Sequence, residues 1–263
     1  MQHSYWRQQT PQKPLFPNIE WNKPERRDQA GKLLIVGGNK LGFAAVAESY
    51  QLALDAGVGQ CKVVLPDCLK KTIAAHIPDA LFAPCTPSGS LSKDALPALV
   101  AAAGWADSVL LIGDAGRNSE TAVVYEQFIQ KCIAPLTLTR DAVDLVKNDA
   151  HLLVERPDTL LVISFAQAQK LFQSVYYPKM LVFSMQLMQL VEAMHKFTTT
   201  YPVTIMTLHK DTMLIAHGGE VVTQTWDTPM AIWRGHVATA AACYWLWNSN
   251  APLEAVTASL IGS

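Results

Sequence analysis

A short segment late in the chain has the composition of an anion-binding helix start. Gly235 and His236 directly precede the run Val237–Cys243, which is rich in helix-forming alanine. The first backbone N–H groups of a helix have no intrahelical partner and attract anions. A glycine there lets an oxyanion approach the backbone closely, and the next side chain is expected to point into the same space. The segment therefore predicts a phosphate site with His236 beside it.

Further candidate segments follow predicted strands. The run Gly37–Asn39 and the pair Gly113 and Asp114 come directly after apolar strands, and Asp141 follows the strand Leu136–Thr139. Ligands of parallel α/β sheets bind outside the carboxyl ends of the strands, so these residues could face one ligand. Each also has a structural alternative: a tight turn at the glycines, a cap of the helix near residue 118 at Asp114, and a favourable charge in a first helical turn at Asp141.

The histidines and cysteines give weaker signals. His209 and Lys210 follow a predicted strand, where they could meet a phosphate or lie in a solvated turn. The chain has no HxxxH or HxH pair, so no metal site is predicted. The five cysteines are scattered without a CxxC pair, which is typical of free thiols in a reducing compartment.

Composition narrows the class of protein. Of the 263 residues, 50% are hydrophobic and only 16% are charged, which suits a sheet that is buried on both faces. The formal net charge is -1 and no basic block occurs, so neither nucleic acid nor a membrane surface is expected as a partner. The N-terminal residues lack an apolar signal core, and the apolar run Ala238–Trp247 is shorter than the ~20 residues of a membrane span. A cytoplasmic location is expected.

The chain divides into an arm and one domain. Residues 1–30 carry four prolines among polar residues and scattered aromatic ones, which predicts an extended arm that packs on the body or on a neighbouring subunit. We therefore expect a homo-oligomer. Residues 31–263 alternate between short apolar strands and helical stretches, and residues 213–225 have the pattern of a hairpin. This alternation predicts an α/β fold, a doubly wound, mostly parallel sheet with helices on both faces.

The order of motifs resembles a known family. The segments Gly37–Asn39, Ala44–Ala45 and Ala56–Gly59, followed by Gly113 and Asp141, are similar to the ADP/ATP-dependent NAD(P)H-hydrate dehydratase family of the ribokinase-like superfamily. The likeness covers about residues 31–258. It implies a three-layer ribokinase-like domain, ATP or ADP as the cofactor together with Mg²⁺, and hydrated NADH or NADPH as the substrate. The family's reaction would make the protein a carbon–oxygen lyase.

The resemblance also implies roles for individual residues. It places His236 where the family has its aspartate base. The residues that it assigns to nucleotide binding are Arg234, Gly235, His209 and Lys210. Those that it assigns to substrate binding are Gly37, Gly38, Asn39, Ala45, Gly113, Asp114 and Asp141.

The departures from the family pattern fall in the chemical motifs. The family's Gly-Thr-Gly-Asp is Trp233–His236 here, and its Thr-Pro-His-x-Gly-Glu is Ile163–Ala168, without the His and the Glu. The leading hypothesis is a relative with lost or severely weakened activity that still binds a nucleotide or dinucleotide. The alternatives are an active dehydratase or small-molecule kinase with His236 as base, and a structural, oligomeric protein with a filled cleft.

Overall fold

The computed structural model describes residues 4–261, apart from the side chain of Lys147. The strands are β1 (Trp6–Gln9), β2 (Lys32–Gly37), β3 (Gln60–Pro66), β4 (Ala80–Ala83), β5 (Ser108–Gly113), β6 (Leu136–Thr139), β7 (Thr159–Ser164), β8 (Thr204–His209), β9 (Thr212–His217) and β10 (Glu220–Thr225). The helices are α1 (Ala44–Ala56), α2 (Lys70–Ile73), α3 (Leu96–Trp105), α4 (Ser119–Lys131), α5 (Asp141–Leu145), α6 (His151–Val154), α7 (Phe165–Ser174), α8 (Leu187–Thr200), α9 (Pro229–Arg234), α10 (His236–Trp247) and α11 (Pro252–Ser259). None of these helices between residues 4 and 261 combines the length and the apolar character needed to cross a bilayer.

All the strands described form one sheet in the order β1-β10-β9-β8-β7-β6-β5-β2-β3-β4. Neighbours are parallel, except that β9 runs antiparallel to both β8 and β10. The chain moves from β2 to β4 in one direction and from β5 to β8 in the other, so the strand order reverses between β2 and β5. The doubly wound, mostly parallel sheet predicted from the sequence is confirmed. The reversal opens a crevice beyond the ends of β2 and β5, where such sheets bind ligands.

Helices cover both faces of this sheet. One apolar core lies between the sheet and α3–α8 and contains Tyr125, Phe128 and Phe197. The other lies under α1, α2 and α9–α11 and contains Val46 and Trp245. Because both faces are covered, every residue of the central strand β5 is buried, and its sequence is an apolar run rather than an alternation. The predicted three-layer α/β architecture is confirmed.

The N-terminal segment is part of the sheet. Its strand β1 pairs in parallel with β10, and buried Gln9 donates hydrogen bonds from Nε2 to Gln224 Oε1 at 2.8 Å and to the carbonyl of Thr257 at 3.0 Å. Two 3₁₀ helices follow, at Pro17–Asn22 and at residues 27–29. The sequence did not predict these turns. Proline is tolerated in the first one because Pro17 is its first residue, where no intrahelical N–H bond is needed.

Candidate functional site

Asp114 joins the loops that follow β2, β5 and β6. Its Oδ2 accepts a hydrogen bond from the N–H of Ala45 at 3.0 Å, and its Oδ1 pairs with Arg140 Nη2 at 2.7 Å. Its carbonyl accepts a hydrogen bond from the amide side chain of Asn39. Asp114 therefore caps the first turn of α1. Its interpretation as the cap of α4 is wrong, since the side chain of Asn118 caps that helix.

The glycines at the ends of β2 and β5 lie against each other and against Asp141. The N–H of Gly38 donates to the carbonyl of Gly113 at 2.8 Å. Gly113 has a φ of +93°, and a Cβ there would overlap Asp141 Oδ1, so this close approach requires glycine. The other oxygen of Asp141 accepts from the N–H of Gly116 at 3.1 Å. Burial raises the pKa of Asp141, against the opposing effect of hydrogen bonds from the N–H groups of Gly116 and Asp114.

An open cleft of about 410 Å³ lies at the carboxyl ends of β5, β6 and β7, and we call it the strand-end cleft. The residues that line it include Asp114, Arg140, Asp141, Gln167, Lys170 and Trp233. Trp233 is 58% exposed and forms part of the wall. The cleft is therefore open beside this ring, whereas the third hypothesis expected a filled cleft.

A second cavity lies on the other side of the loop 113–116. This Asn39 groove has a volume of about 450 Å³, and its lining includes Asn39, Gly42, Ser88, Ser90, Gly116 and Arg117. Asp114 lines the strand-end cleft and Gly116 lines the Asn39 groove. Of the residues predicted to bind substrate, Asp114 and Asp141 line the strand-end cleft and Asn39 lines the Asn39 groove. The linings of these two cavities do not include Gly37, Gly38, Ala45 and Gly113.

The start of α10 is closed. Gly235 links α9 directly to α10, and its N–H donates to the carbonyl of Ile232 at 3.0 Å. Its φ is +88°, and a Cβ there would lie 2.6 Å from Ile112 Cδ1. Val237 and Ala238, in the first turn of α10, have no exposed surface. The backbone groups that the sequence assigned to a phosphate are packed against β5, so the residues present do not fit a phosphate group at this helix start.

The imidazole of His236 contacts α1. Its Nε2 lies 2.8 Å from Glu48 Oε2, and both side chains are partly exposed. His236 is not among the residues that line the strand-end cleft. The structure therefore places the predicted base in the contact between α1 and α10.

The structure does not bring the other predicted nucleotide-binding residues into the strand-end cleft. His209 is buried, donates from Nε2 to the carbonyl of Phe183 at 2.9 Å, and packs its ring against that of Phe165 at a centroid distance of 4.7 Å. Lys210 is exposed in the turn between β8 and β9, and Arg234 is exposed at the end of α9.

Several residues of the cleft were missed by the sequence interpretation. Arg140 pairs with Asp114, and Gln167 donates from Nε2 to the carbonyl of Arg140 at 2.8 Å and to Asp144 Oδ2 at 2.9 Å. The only local signal is the spacing of Ser164 and Gln167, which form a capping box at the start of α7. That pattern predicts a helix start, but not contacts with residues that are more than twenty positions away.

Comparison with known proteins places this geometry in a fold class. No protein-family model matches the chain, and no curated protein matches it. A solved structure of a ribokinase-like superfamily protein from Enterococcus faecalis V583 is similar with a TM-score of 0.73 at 14% identity, over 99% of this chain and 87% of that chain. A protein from Streptococcus mutans is similar with a TM-score of 0.69 at 14% identity, over 93% and 85%. This chain has a ribokinase-like fold.

Within that class, one structural neighbour carries the name of the family that the motifs resemble. The ADP/ATP-dependent NAD(P)H-hydrate dehydratase from Bacillus subtilis, co-crystallised with ATP and Mg²⁺, has a TM-score of 0.59 at 12% identity, over 94% of this chain and 86% of that chain. The resemblance is thereby confirmed for the fold. Identities this low establish the fold alone.

Proposed function

We propose that this protein is a divergent relative of the nucleotide-dependent dehydratases. In this proposal, its dehydratase activity is absent or severely weakened, and its strand-end cleft binds a nucleotide or a dinucleotide. The observation that carries the proposal is the closed start of α10, where the N–H of Gly235 is bonded to Ile232 and Val237 is fully buried. Phosphoryl transfer depends on donors placed at the transferring group. In this protein the corresponding backbone N–H groups, at the start of α10, are buried.

The position of His236 supports the loss of activity. The resemblance implies an aspartate that accepts the substrate's hydroxyl proton at this position, but His236 is paired with Glu48 outside the lining of the cleft. A displacement of about 1 Å can lower a rate by about 10²-fold. The loss of one oxyanion donor typically lowers the rate by about 10²–10³-fold. The two changes together predict very little turnover.

The open strand-end cleft supports the binding part of the proposal. Its volume of about 410 Å³ is within the range of small-molecule sites. The exposed indole of Trp233 offers a face on which an adenine or nicotinamide ring can stack. Lys170 lies 3.8 Å from Asp144 Oδ1, but its side chain is 62% exposed, so in this proposal its ammonium group can turn to a phosphate. An open cleft also argues against the alternative of a purely structural protein with a filled site.

The proposal is tested by measuring turnover and binding on the same preparation. Hydrated NADH or NADPH is incubated with the protein, Mg²⁺ and ATP or ADP, and the return of absorbance is followed. Calorimetry measures the binding of ATP, ADP, NADH and NADPH separately. We expect binding of a nucleotide or dinucleotide that Trp233→Ala weakens and that Trp21→Ala, an exposed ring outside the cleft lining, leaves unchanged. Turnover of about 1 s⁻¹ or more would overturn the proposed loss of dehydratase activity. The absence of binding heat for all four ligands would overturn the proposed binding of a nucleotide or dinucleotide.

One observation favours an active enzyme as the second candidate. Because His236 Nε2 is bonded to the Glu48 carboxylate, Nδ1 is left as the proton acceptor, as in catalytic His–carboxylate pairs. If this candidate is correct, the protein has dehydratase or small-molecule kinase activity, and the Glu48→Gln variant loses most of the kcat. The proposal above expects Glu48→Gln to have no effect on an already negligible rate.

A further inference from the structure

Two cysteines lie near each other at the carboxyl ends of β3 and of the edge strand β4. Pro66 of β3 is paired with Ala83 of β4, and Cys68 and Cys85 follow these two residues at the same distance along the chain. Neighbouring strands are about 4.8 Å apart, so this pairing brings the two following segments side by side. Cys68 itself lies in the 3₁₀ helix Asp67–Leu69, where the strand pairing has ended, so the proximity of the two sulfurs rests on the contacts of the Cys85 thiol.

The contacts of the Cys85 thiol show the same proximity. It is in hydrogen-bonding contact with the backbone N–H and the thiol of Cys68 and with the carboxylate of Asp67. A β-bridge between Cys85 and Leu91 fixes its backbone. Cys68 is exposed and Cys85 is partly buried, so oxidants in solution reach Cys68 first.

The environment gives the two sulfurs different roles. The hydrogen bond to Asp67, together with burial and Cys68, raises the pKa of Cys85 to about 11, so that this thiol keeps its proton near neutral pH. The other three cysteines, Cys61, Cys132 and Cys243, are buried. Burial raises the pKa of each of these three thiols. Cys68 is the exposed thiol among these five cysteines, so we expect oxidants to react with it first.

We propose that Cys68 and Cys85 form a redox-active pair that hydrogen peroxide converts into a disulfide. The Cys68 thiolate attacks one peroxide oxygen, the O–O bond breaks, and the sulfenic acid of Cys68 forms while the departing hydroxide takes up a proton to give water. The sulfur of Cys85 then attacks the sulfur of Cys68, forming the S–S bond. The S–O bond breaks, and the second hydroxide leaves as water with the proton of Cys85. Two thiols are oxidised and one peroxide is reduced to two waters.

The pair is connected to the Asn39 groove. Cys68 Sγ lies 3.7 Å from the carbonyl of Gly89, and the same carbonyl accepts a hydrogen bond from the N–H of Lys40 at 2.9 Å. Lys40 directly follows Asn39, and Ser88 and Ser90 line the groove on either side of Gly89. When Cys68 turns to Cys85 it gives up its contact with Gly89. Oxidation therefore acts on the wall of this groove, independently of the function proposed for the strand-end cleft.

Peptide mapping of the full-length protein tests the proposal. The reduced protein is treated with hydrogen peroxide, free thiols are alkylated under denaturing conditions, and the digest is analysed by mass spectrometry. We expect an intact mass lower by two hydrogen atoms and a cross-link between the peptides of Cys68 and Cys85. Dithiothreitol should restore both thiols, and Cys61, Cys132 and Cys243 should be recovered alkylated.

Two variants separate the pair from general thiol oxidation. Cys85→Ser should leave Cys68 as a sulfenic acid that dimedone captures, whereas Cys132→Ser should form the same cross-link as the wild-type protein. The proposal is overturned if the wild-type protein yields sulfinic acid at Cys68 without the cross-link, or if the linked peptides come from two different chains.

Discussion

Among single residues, Gly235 sets the angle between α9 and α10. Its φ is +88°, and a methyl group there would lie 2.6 Å from Ile112 Cδ1. We expect Gly235→Ala to lower the free energy of unfolding by about 1–3 kcal/mol, because backbone strain and steric overlap both act. Urea denaturation followed by tryptophan fluorescence measures this change.

Gly104 provides the matched control for that substitution. It lies within α3, and no neighbouring atom is within 4 Å of a Cβ built there. Gly104→Ala should be neutral or raise the free energy of unfolding by about 0.5–1 kcal/mol, as expected for alanine in a helix. Equal destabilisation by both substitutions would show that the fit of Gly235 against Ile112 is not what constrains the turn.

The buried carboxyl of Asp141 predicts a pH dependence. Burial raises its pKa, so the folded protein keeps the proton at pH values where the unfolded chain has released it. Its stabilising contribution is complete below the ordinary aspartate pKa of about 3.9 and is lost as the pH rises through the folded value. We therefore expect the stability advantage of the wild-type protein over Asp141→Asn to shrink as the pH is raised from 3 towards neutrality. Chemical denaturation at a series of pH values measures it, and an advantage that grows over this range would contradict the interpretation.

Among secondary-structure elements, β1 depends on one buried amide. Gln9 connects β1 to β10 through Gln224 and to α11 through Thr257, and its Oε1 accepts from the N–H of Leu15 at 3.0 Å. We expect Gln9→Ala to lower the free energy of unfolding by about 1–3 kcal/mol, because buried partners lose their hydrogen bonds. Gln8→Ala, at the exposed neighbouring position, should change it by less than about 0.5 kcal/mol. Thermal unfolding measures the free energy of unfolding of both variants. Similar losses of stability in the two would disprove the role of the Gln9 amide.

The elements that the sequence predicted well have strong local signals. The sequence of α1 predicts a helix over Ala44–Ala56, the observed bounds, because alanine and other helix formers lead to Gly57, which has a left-handed φ of 96° at the cap. The hairpin of β9 and β10 was predicted from its glycine pair. Strands β1 and β4 were missed because each is a four-residue edge strand that its one pairing partner, rather than its own sequence, holds in the sheet. The equally short β6 was predicted, and it lies between two other strands.

The candidate site, too, was predicted only where the local sequence carries a signal. The carboxyl ends of parallel strands meet at one edge, so Gly38, Gly113 and Asp141 were expected together and do lie together. The direction of a side chain depends on distant partners. His236 pairs with Glu48, which is 188 positions away in the sequence, and no local pattern indicates that contact.

For the whole molecule we expect a homo-oligomer. Large apolar or aromatic side chains are exposed along the segment 176–188, namely Tyr176, Met180, Val182, Phe183 and Met188. Contiguous exposed apolar surface commonly marks an interaction site. Light scattering should give a mass that is a multiple of 28.8 kDa. Phe183→Ser should lower that mass and Ile133→Ser, an exposed residue outside this segment, should not. A mass of 28.8 kDa for the wild-type protein at all micromolar concentrations would contradict the expectation.

The pairing of β1 with β10 has a consequence for synthesis on the ribosome. Trp6 lies opposite Val221, and Gln9 is bonded to a residue 248 positions further along the chain. Strand β1 therefore has no native partner until β10 has emerged from the ribosome. Pairing between such distant segments is slow, because a long loop must close first. The pairing of β1 can therefore be completed only after β10 has emerged, and the bond from Gln9 to α11 only after residue 257 has emerged.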